Sequence, residues 1–362
     1  MGRRQHDLLE TRSTSPIASP DMPATTPVLR FLDAGPGPTA AATLSGQGVR
    51  PEELLAVEVF YDHARLSAEQ ARETVRELNP DGTLPVSAIP ASVGVLGGDL
   101  TQVQATALPS GVTAAREAGG RYAAGGPAVA TRLLTAPEAG DIVEQSHAVL
   151  RTVQDLLAEQ GLDADDVVKF NIFYRGEGTQ EDWAVAARVR AGYFTEPGPA
   201  TTGIPVPRFD DPDVLIAMQV LALRGARPAR RHSWPEGHWD WPFHLPYKHG
   251  NRSGGLAFIG GQVPLDERAR SLDIGDFPAQ VRRSLDYIAR VLDELDVPRS
   301  AVRRLTAFVA ADAGSGPGKL AALRSEVGAF FGDSSPALVP VPLPVLAYPG
   351  MDVEIEVQAL VD

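Results

Sequence analysis

The stretch His232–Asp266 concentrates side chains that can exchange protons. It holds four of the seven histidines (His232, His238, His244, His249) and three of the four tryptophans (Trp234, Trp239, Trp241). Imidazole has the ordinary pKa nearest neutrality, so it is the first candidate for an acid, a base or a metal ligand. These histidines are spaced by six, six and five residues, with prolines and tryptophans between them. That is not the spacing of a helical HExxH site, and no metal is expected. His249 stands closest to Tyr247 and is the member best placed as acid, base or donor. The Tyr247 phenol can donate to a substrate oxygen or stack on a planar ligand; equally, it can plug a domain join. Gln262 ends an apolar run beside Gly260 and Gly261, where the missing side chains let backbone amides approach a ligand or simply allow a turn. Near the C-terminus, VEIEVQAL alternates: Val353, Ile355 and Val357 face one way, Glu354, Glu356 and Gln358 the other. On a partly buried cleft wall, Glu354 would have a raised pKa and serve as general acid or base; on a solvated face it would pair with a Lys or Arg. No P-loop, GxSxG or dinucleotide fingerprint stands in a suitable context, and no cofactor is expected.

Three similar blocks would position these groups. RPEELLAVEVFY (50–61), DADDVVKFNIFY (163–174) and RSAVRRLTAFV (299–309) each run from a polar turn into a β-branched and aromatic strand. A helical face follows each strand: Ala68, Ala71, Val75 and Leu78; Trp183, Ala186, Val189 and Tyr193; Leu320, Leu323, Val327 and Phe330. Proline-led strands come next, at Pro85, Pro199 and Pro336, and a final strand closes each block. The second and third blocks carry an earlier helix as well. The first leaves no room for one between residues 28 and 50, so its opening elements are expected to be missing. The order is β–α–β–α–β–β, an α+β layer with two helices on one face of a mixed sheet. The boundaries expected are a disordered tail (1–27) and units at 28–112, 113–227 and 228–362.

The chain has 362 residues, 43% hydrophobic and 22% charged, enough for two or three units. Its net charge of −13 argues against general nucleic-acid or membrane binding. With no cysteine, disulfides, thiolate metal sites and a cysteine nucleophile are excluded. No apolar run approaches the roughly 20 residues that span a bilayer. The two arginines at 3 and 4 precede no apolar segment of the secretory kind, so a cytoplasmic protein is expected.

In order and spacing, Pro246-Tyr247, Gly260-Gly261-Gln262, the helix at 276–295, Pro336-Ala337 and Val353-Glu354-Ile355-Glu356 resemble the Rid/YjgF family. The resemblance covers residues 246–362 best and 113–225 less closely, and reaches 50–109 only through the internal repeat. Rid domains form homotrimers with a ligand cleft at each subunit interface. Three units in one chain therefore imply a pseudo-threefold, single-chain trimer with helices outside, occurring as a monomer or a dimer of pseudotrimers. The chorismatases are similar in plan, and PATTGI (199–204) resembles their Pro-Ala-x-Thr-Gly-Ile stretch.

The resemblance matches Tyr247 and Glu354 to the family's pocket tyrosine and acid. Because the other units carry Gln102 and Ala217 at the Glu354 position, one pocket is expected where the third unit meets a neighbour, with Tyr247, His249 and Glu354 catalytic and Gly261 and Gln262 binding a small-molecule substrate. It also exposes a gap. Imine-hydrolysing Rid enzymes hold the substrate carboxylate with an arginine just after the Pro-Ala pair, where a guanidinium fork matches two oxygens. The matching positions here are Ser87, Thr201 and Leu338. Arg208 and Arg252 are the candidates to substitute. The expected function is hydrolysis, deamination or tautomerisation of an imine, enamine or enol. A chorismatase-like reaction on an enol-ether carboxylate and a non-catalytic metabolite binder are the alternatives.

Overall fold

In the computed structural model, residues 29–361 are described, so the tail expected at 1–27 lies outside the described residues. The first unit runs β1 (Arg30–Gly35), α1 (Gly37–Gly46), β2 (Leu54–Asp62), α2 (Ala68–Glu73), β3 (Val86–Ala91) and β4 (Thr101–Ala107). The second runs β5 (Ala115–Arg116), β6 (Tyr122–Gly125), β7 (Ala128–Thr131), α3 (Ile142–Glu159), β8 (Val167–Arg175), α4 (Gln180–Ala191), β9 (Ala200–Val206) and β10 (Ile216–Leu223). The third runs β11 (Arg231–Ser233), β12 (Gly250–Ser253), β13 (Leu256–Gln262), α5 (Phe277–Glu294), β14 (Val302–Ala310), α6 (Gly316–Phe331), β15 (Ala337–Leu343) and β16 (Val353–Leu360). Each unit has its own mixed sheet, in the orders β1-β4-β2-β3, β5-β6-β7-β10-β8-β9 and β11-β12-β13-β16-β14-β15.

Sequence explains these elements locally. Asp141 caps α3 by accepting from the Val143 and Glu144 N–H groups, while the Glu144 carboxylate accepts from the Asp141 N–H. Asp276 caps α5 through the Ala279 N–H. On α5, Phe277, Val281, Leu285, Ile288 and Leu292 form the buried stripe and pack on Val353, Ile355 and Val357 of β16. The helices thus cover one face of each sheet, and strands of different units meet on the other: β9 touches β13, β1 touches β14 and β2 touches β6.

At that junction the repeat becomes visible in side chains. Phe60, Phe173 and Phe308 are each the seventh residue of a nine-residue strand. Phe308 packs on the other two with ring centroids 6.1 and 6.4 Å apart. Nearby, the inward polar residues pair within and across units. Glu58 accepts from Gln104 (2.7 Å) and from Gln219. Thr306 donates to Gln104 at 2.8 Å. The Lys169 ammonium sits 2.8 Å from Glu356. Charges removed from water are costly unless matched in this way.

One expectation about the first unit is corrected. A strand and a ten-residue helix do occupy residues 30–46. The helix buries only Gly37, Ala40 and Leu44, a stripe too small to register as amphipathic. The first unit instead lacks counterparts of the opening hairpins β5–β6 and β11–β12.

Candidate active site

The inner faces of the second and third units enclose one pocket. From the second unit come Trp183 and Arg190 of α4 and Thr201 and Gly203 of β9. The third supplies Tyr247, Gly261, Glu354, the aromatic segment's Trp239, Trp241 and Leu245, and the loop ahead of β16 with Ala347, Tyr348 and Met351. The free space is about 30 Å³, room for roughly two waters. Anything larger could enter only if a wall moved; among the lining side chains Trp241 is half-buried.

Two glycines hold the walls close. A side chain on Gly260 would place its Cβ 2.4 Å from the Thr201 carbonyl oxygen, so the β13 and β9 backbones can approach across the unit boundary only without it. A Cβ on Gly261 would lie 1.8 Å from a Glu354 carboxyl oxygen. Gly261→Ala is therefore expected to cost about 1–3 kcal/mol through overpacking. Gly328→Ala, on α6 with nothing within 4 Å, is expected to gain up to about 1 kcal/mol. Thermal melts of the two variants check the contrast; equal melting temperatures would contradict it.

Glu354 and Glu356 are both buried, 5% and 1% exposed, so neither lies on a solvated strand face. Burial pushes the Glu354 carboxyl up to about 8; Lys169 opposes this, and Glu356 adds to it. Glu354 is therefore mostly protonated at neutral pH. Glu356 also feels burial, but Lys169, Thr202 and Arg304 together hold it below the ordinary carboxylate range. The two carboxyls, two residues apart on one strand, are driven to opposite protonation states.

Arg190 is the residue that sequence reading missed. Its side chain is 1% exposed, yet its Nε and Nη1 have no hydrogen-bond partner. No carboxylate lies within ion-pair distance among the described residues. Around it stand other buried, unpartnered donors: the hydroxyls of Tyr174, Tyr247 and Tyr348 and of Thr201. The Arg190 and Tyr247 groups adjoin; burial raises the phenol's pKa and the guanidinium pulls it back. An unpaired buried cation costs several kcal/mol. A site that keeps one among hydroxyl donors is suited to an anion. The signal was in the sequence: Trp183, Ala186, Ala187 and Arg190 follow the i, i+3, i+4, i+7 stripe of α4, where α6 carries Val327.

The usual arginine position is indeed uncharged, and the arginine that reaches the pocket is Arg190 rather than Arg208 or Arg252. Thr201 does line it and carries no charge, but α4 supplies the cation that β9 lacks. Strand pairing also refines the match. Thr201 pairs with Phe170 and Leu338 with Leu305, and the corresponding pair in the first unit is Val86 with Val57, one residue before Ser87. Leu338 packs on the third unit's core, outside the pocket. Neither proposed substitute reaches it. Arg252 closes the end of α5, donating to the Leu295 and Asp296 carbonyls at 3.1 and 2.7 Å. Arg208 lies in a different cleft.

His249 and Gln262 are also outside the pocket lining, for a packing reason. The His249 ring is stacked on Trp241 (centroids 5.3 Å apart, 12°) and lies 4.7 Å from Trp239 and 4.2 Å from His238. Burial takes its pKa well below the usual imidazole range, and brings His238 down to about 4. Both are neutral packing elements at pH 7. Gln262 accepts from Trp239 at 3.1 Å and bonds His238 at 2.7 Å, pinning the aromatic segment from behind. The four histidines do not converge, and no group of three or more His, Asp or Glu able to hold a metal occurs among the described residues.

The architecture defines a single-chain trimer of Rid-like units, with a small pocket between the second and third. The family model described as Endoribonuclease L-PSP matches residues 116–224 and again 243–361, and the chain belongs to that family. A RutC family protein of Pyrococcus abyssi is 34% identical over 85 residues, 24% of this chain and 64% of that relative's length. One of Pyrococcus horikoshii is 28% identical over 115 residues, 32% of this chain and 85% of the relative. Among solved structures, a chorismatase is similar over 93% of this chain and 100% of its own, with a TM-score of 0.64 at 16% identity, a likeness of fold. No helix among the described residues is long and apolar enough to cross a membrane.

Proposed function

We propose that the chain is an enzyme acting on a small unsaturated carboxylate, an imine, enamine or enol. The carrying observation is one pocket holding an unpaired buried guanidinium, Arg190, and a carboxyl protonated at neutral pH, Glu354. Arg190 binds the substrate carboxylate as a fork. Glu354 gives its proton to the imine nitrogen or to the enamine or enol carbon. With an imine or enamine, water then adds to the electron-poor carbon, whereas an enol returns its O–H proton to Glu354 and becomes the ketone without water. For an imine the tetrahedral adduct expels ammonia, leaving a 2-oxo acid. The proton from the added water returns to Glu354, so the cycle consumes one water. Tyr247 and Tyr348 are the pocket hydroxyls that orient the developing oxygen.

A second reading, a cyclic enol-ether carboxylate as for a chorismatase, draws on the flat aromatic walls formed by Trp183, Trp239, Trp241 and Tyr348. The experiment is to incubate the chain with 2-iminopropionate and, separately, with chorismate, following ammonia and 2-oxo-acid release. Catalysed release from 2-iminopropionate supports the first reading, and from chorismate alone the second. Release from neither, with binding intact, would leave a non-catalytic metabolite binder.

A further inference from the structure

The loops at the Arg190 pocket have counterparts one unit earlier in the chain. In that pocket the loop after β15 of the third unit faces α4 of the second. Between the first two units, the loop after β9 (Arg208, Phe209, Asp210, Pro212, Val214) faces His63–Ser67, which lead into α2. Arg175 joins them from the end of β8. The same step along the repeat relates the two loops, but this cleft lies further out: no residue of β3, β7 or β10 lines it. Opposite Phe308 the third unit carries Glu354; opposite Phe173 the second carries Ala217, which has no proton to give.

What this cleft has instead is space and positive charge. It is an open cavity of about 660 Å³, the size of a metabolite site. Arg65, Arg175 and Arg208 line it, and all three are exposed. Their local partners are weak: Arg65 reaches Asp62 only at 4.0 Å, and Arg208 a backbone carbonyl at 3.4 Å. The one acid in the lining, Asp210, is already committed, accepting from the Tyr61 hydroxyl at 2.7 Å and from the Ala68 N–H. On a chain of net charge −13, a concave surface lined by three guanidiniums and one carboxylate is locally basic and favours an anion.

We propose that the cleft between the first and second units binds a small polyanion, a metabolite bearing phosphates or several carboxylates, through Arg65, Arg175 and Arg208. The site binds without catalysing, and it stands independently of the reaction assigned to the Arg190 pocket. A ligand there clamps the 208–214 loop of the second unit onto the first.

The test is calorimetric titration of the full chain, at low salt, with inorganic pyrophosphate and separately with citrate. One of the two is expected to bind at a single site, pyrophosphate if the ligand is phosphorylated and citrate if it is a polycarboxylate. The double variant Arg175→Ser/Arg208→Ser should bind at least about tenfold more weakly. Arg65→Gln should also weaken binding, and Arg190→Met should leave it unchanged. Because the three arginines are exposed, the melting temperatures should match wild type. Absence of binding by both probes at roughly millimolar concentration, an unaltered affinity in the double variant, or loss of binding in Arg190→Met would each overturn the proposal.

Discussion

Arg190→Met should give a protein that is more stable when empty and unable to hold a carboxylate. Both effects come from the same buried guanidinium, which has no carboxylate partner and whose Nε and Nη1 make no hydrogen bond, although it lies over the Trp183 ring at 5.8 Å. Without ligand it carries a desolvation cost with no counter-ion, and a methionine of similar length removes that cost. The melting temperature of the free chain should rise by a few degrees. With ligand the balance reverses, because the substrate carboxylate loses its partner, a penalty of about 2–5 kcal/mol. Affinity or turnover should fall by about 30- to 4,000-fold. Thermal melts with and without a carboxylate ligand read both effects: wild type is stabilised by ligand and the variant is not. A variant that melts earlier than wild type and still gains stability from the ligand would show that Arg190 is a packing residue.

Glu354→Gln should lower turnover by about 100-fold or more while preserving the fold. Glutamine keeps the shape beside Gly261 and removes the proton. The pH dependence carries the sign. With a folded-state pKa of about 8 against 4.5 for the free side chain, Glu354 is a competent acid below pH 8, and wild-type turnover should fall as pH rises through that value. The same shift links to stability. The protonated carboxyl's contribution is complete below 4.5 and is lost progressively as pH rises to about 8. Relative to wild type, the Gln variant should therefore become more stable as pH rises over this window. Measuring turnover and melting temperature from pH 5 to 9 tests both; a variant with wild-type turnover would remove Glu354 from the chemistry.

Much of this arrangement was legible before folding. The strict alternation of β16 separates its helix-covered face from the face bearing Glu354 and Glu356. The repeated strand–helix–proline-strand order revealed three units, because each pattern arises from local periodicity. Contacts between units were harder to read. Alternation alone could not show that the polar face of β16 is buried by other sheets, where Glu356 pairs with Lys169. Arg190 escaped because a charged residue on a helix is ordinarily assigned to solvent, although its stripe position matched Val327. His249 was misplaced for the opposite reason: its nearness to Tyr247 in sequence says nothing about three tryptophans folding over it. Helix α1, built on alanine, had too little hydrophobic contrast to register.

Carboxylate binding by Arg190 in the pocket between the second and third units can be observed directly. A crystal structure of the chain soaked with pyruvate, a small planar 2-oxo acid, tests it. The account expects the carboxylate on the Arg190 Nε and Nη atoms at about 2.7–2.9 Å, the carbonyl oxygen turned toward Glu354 and Tyr247, and the Trp241 segment displaced. Pyruvate bound elsewhere with Arg190 still unpartnered, or an Arg190 pocket that remains closed at saturating pyruvate, would contradict it.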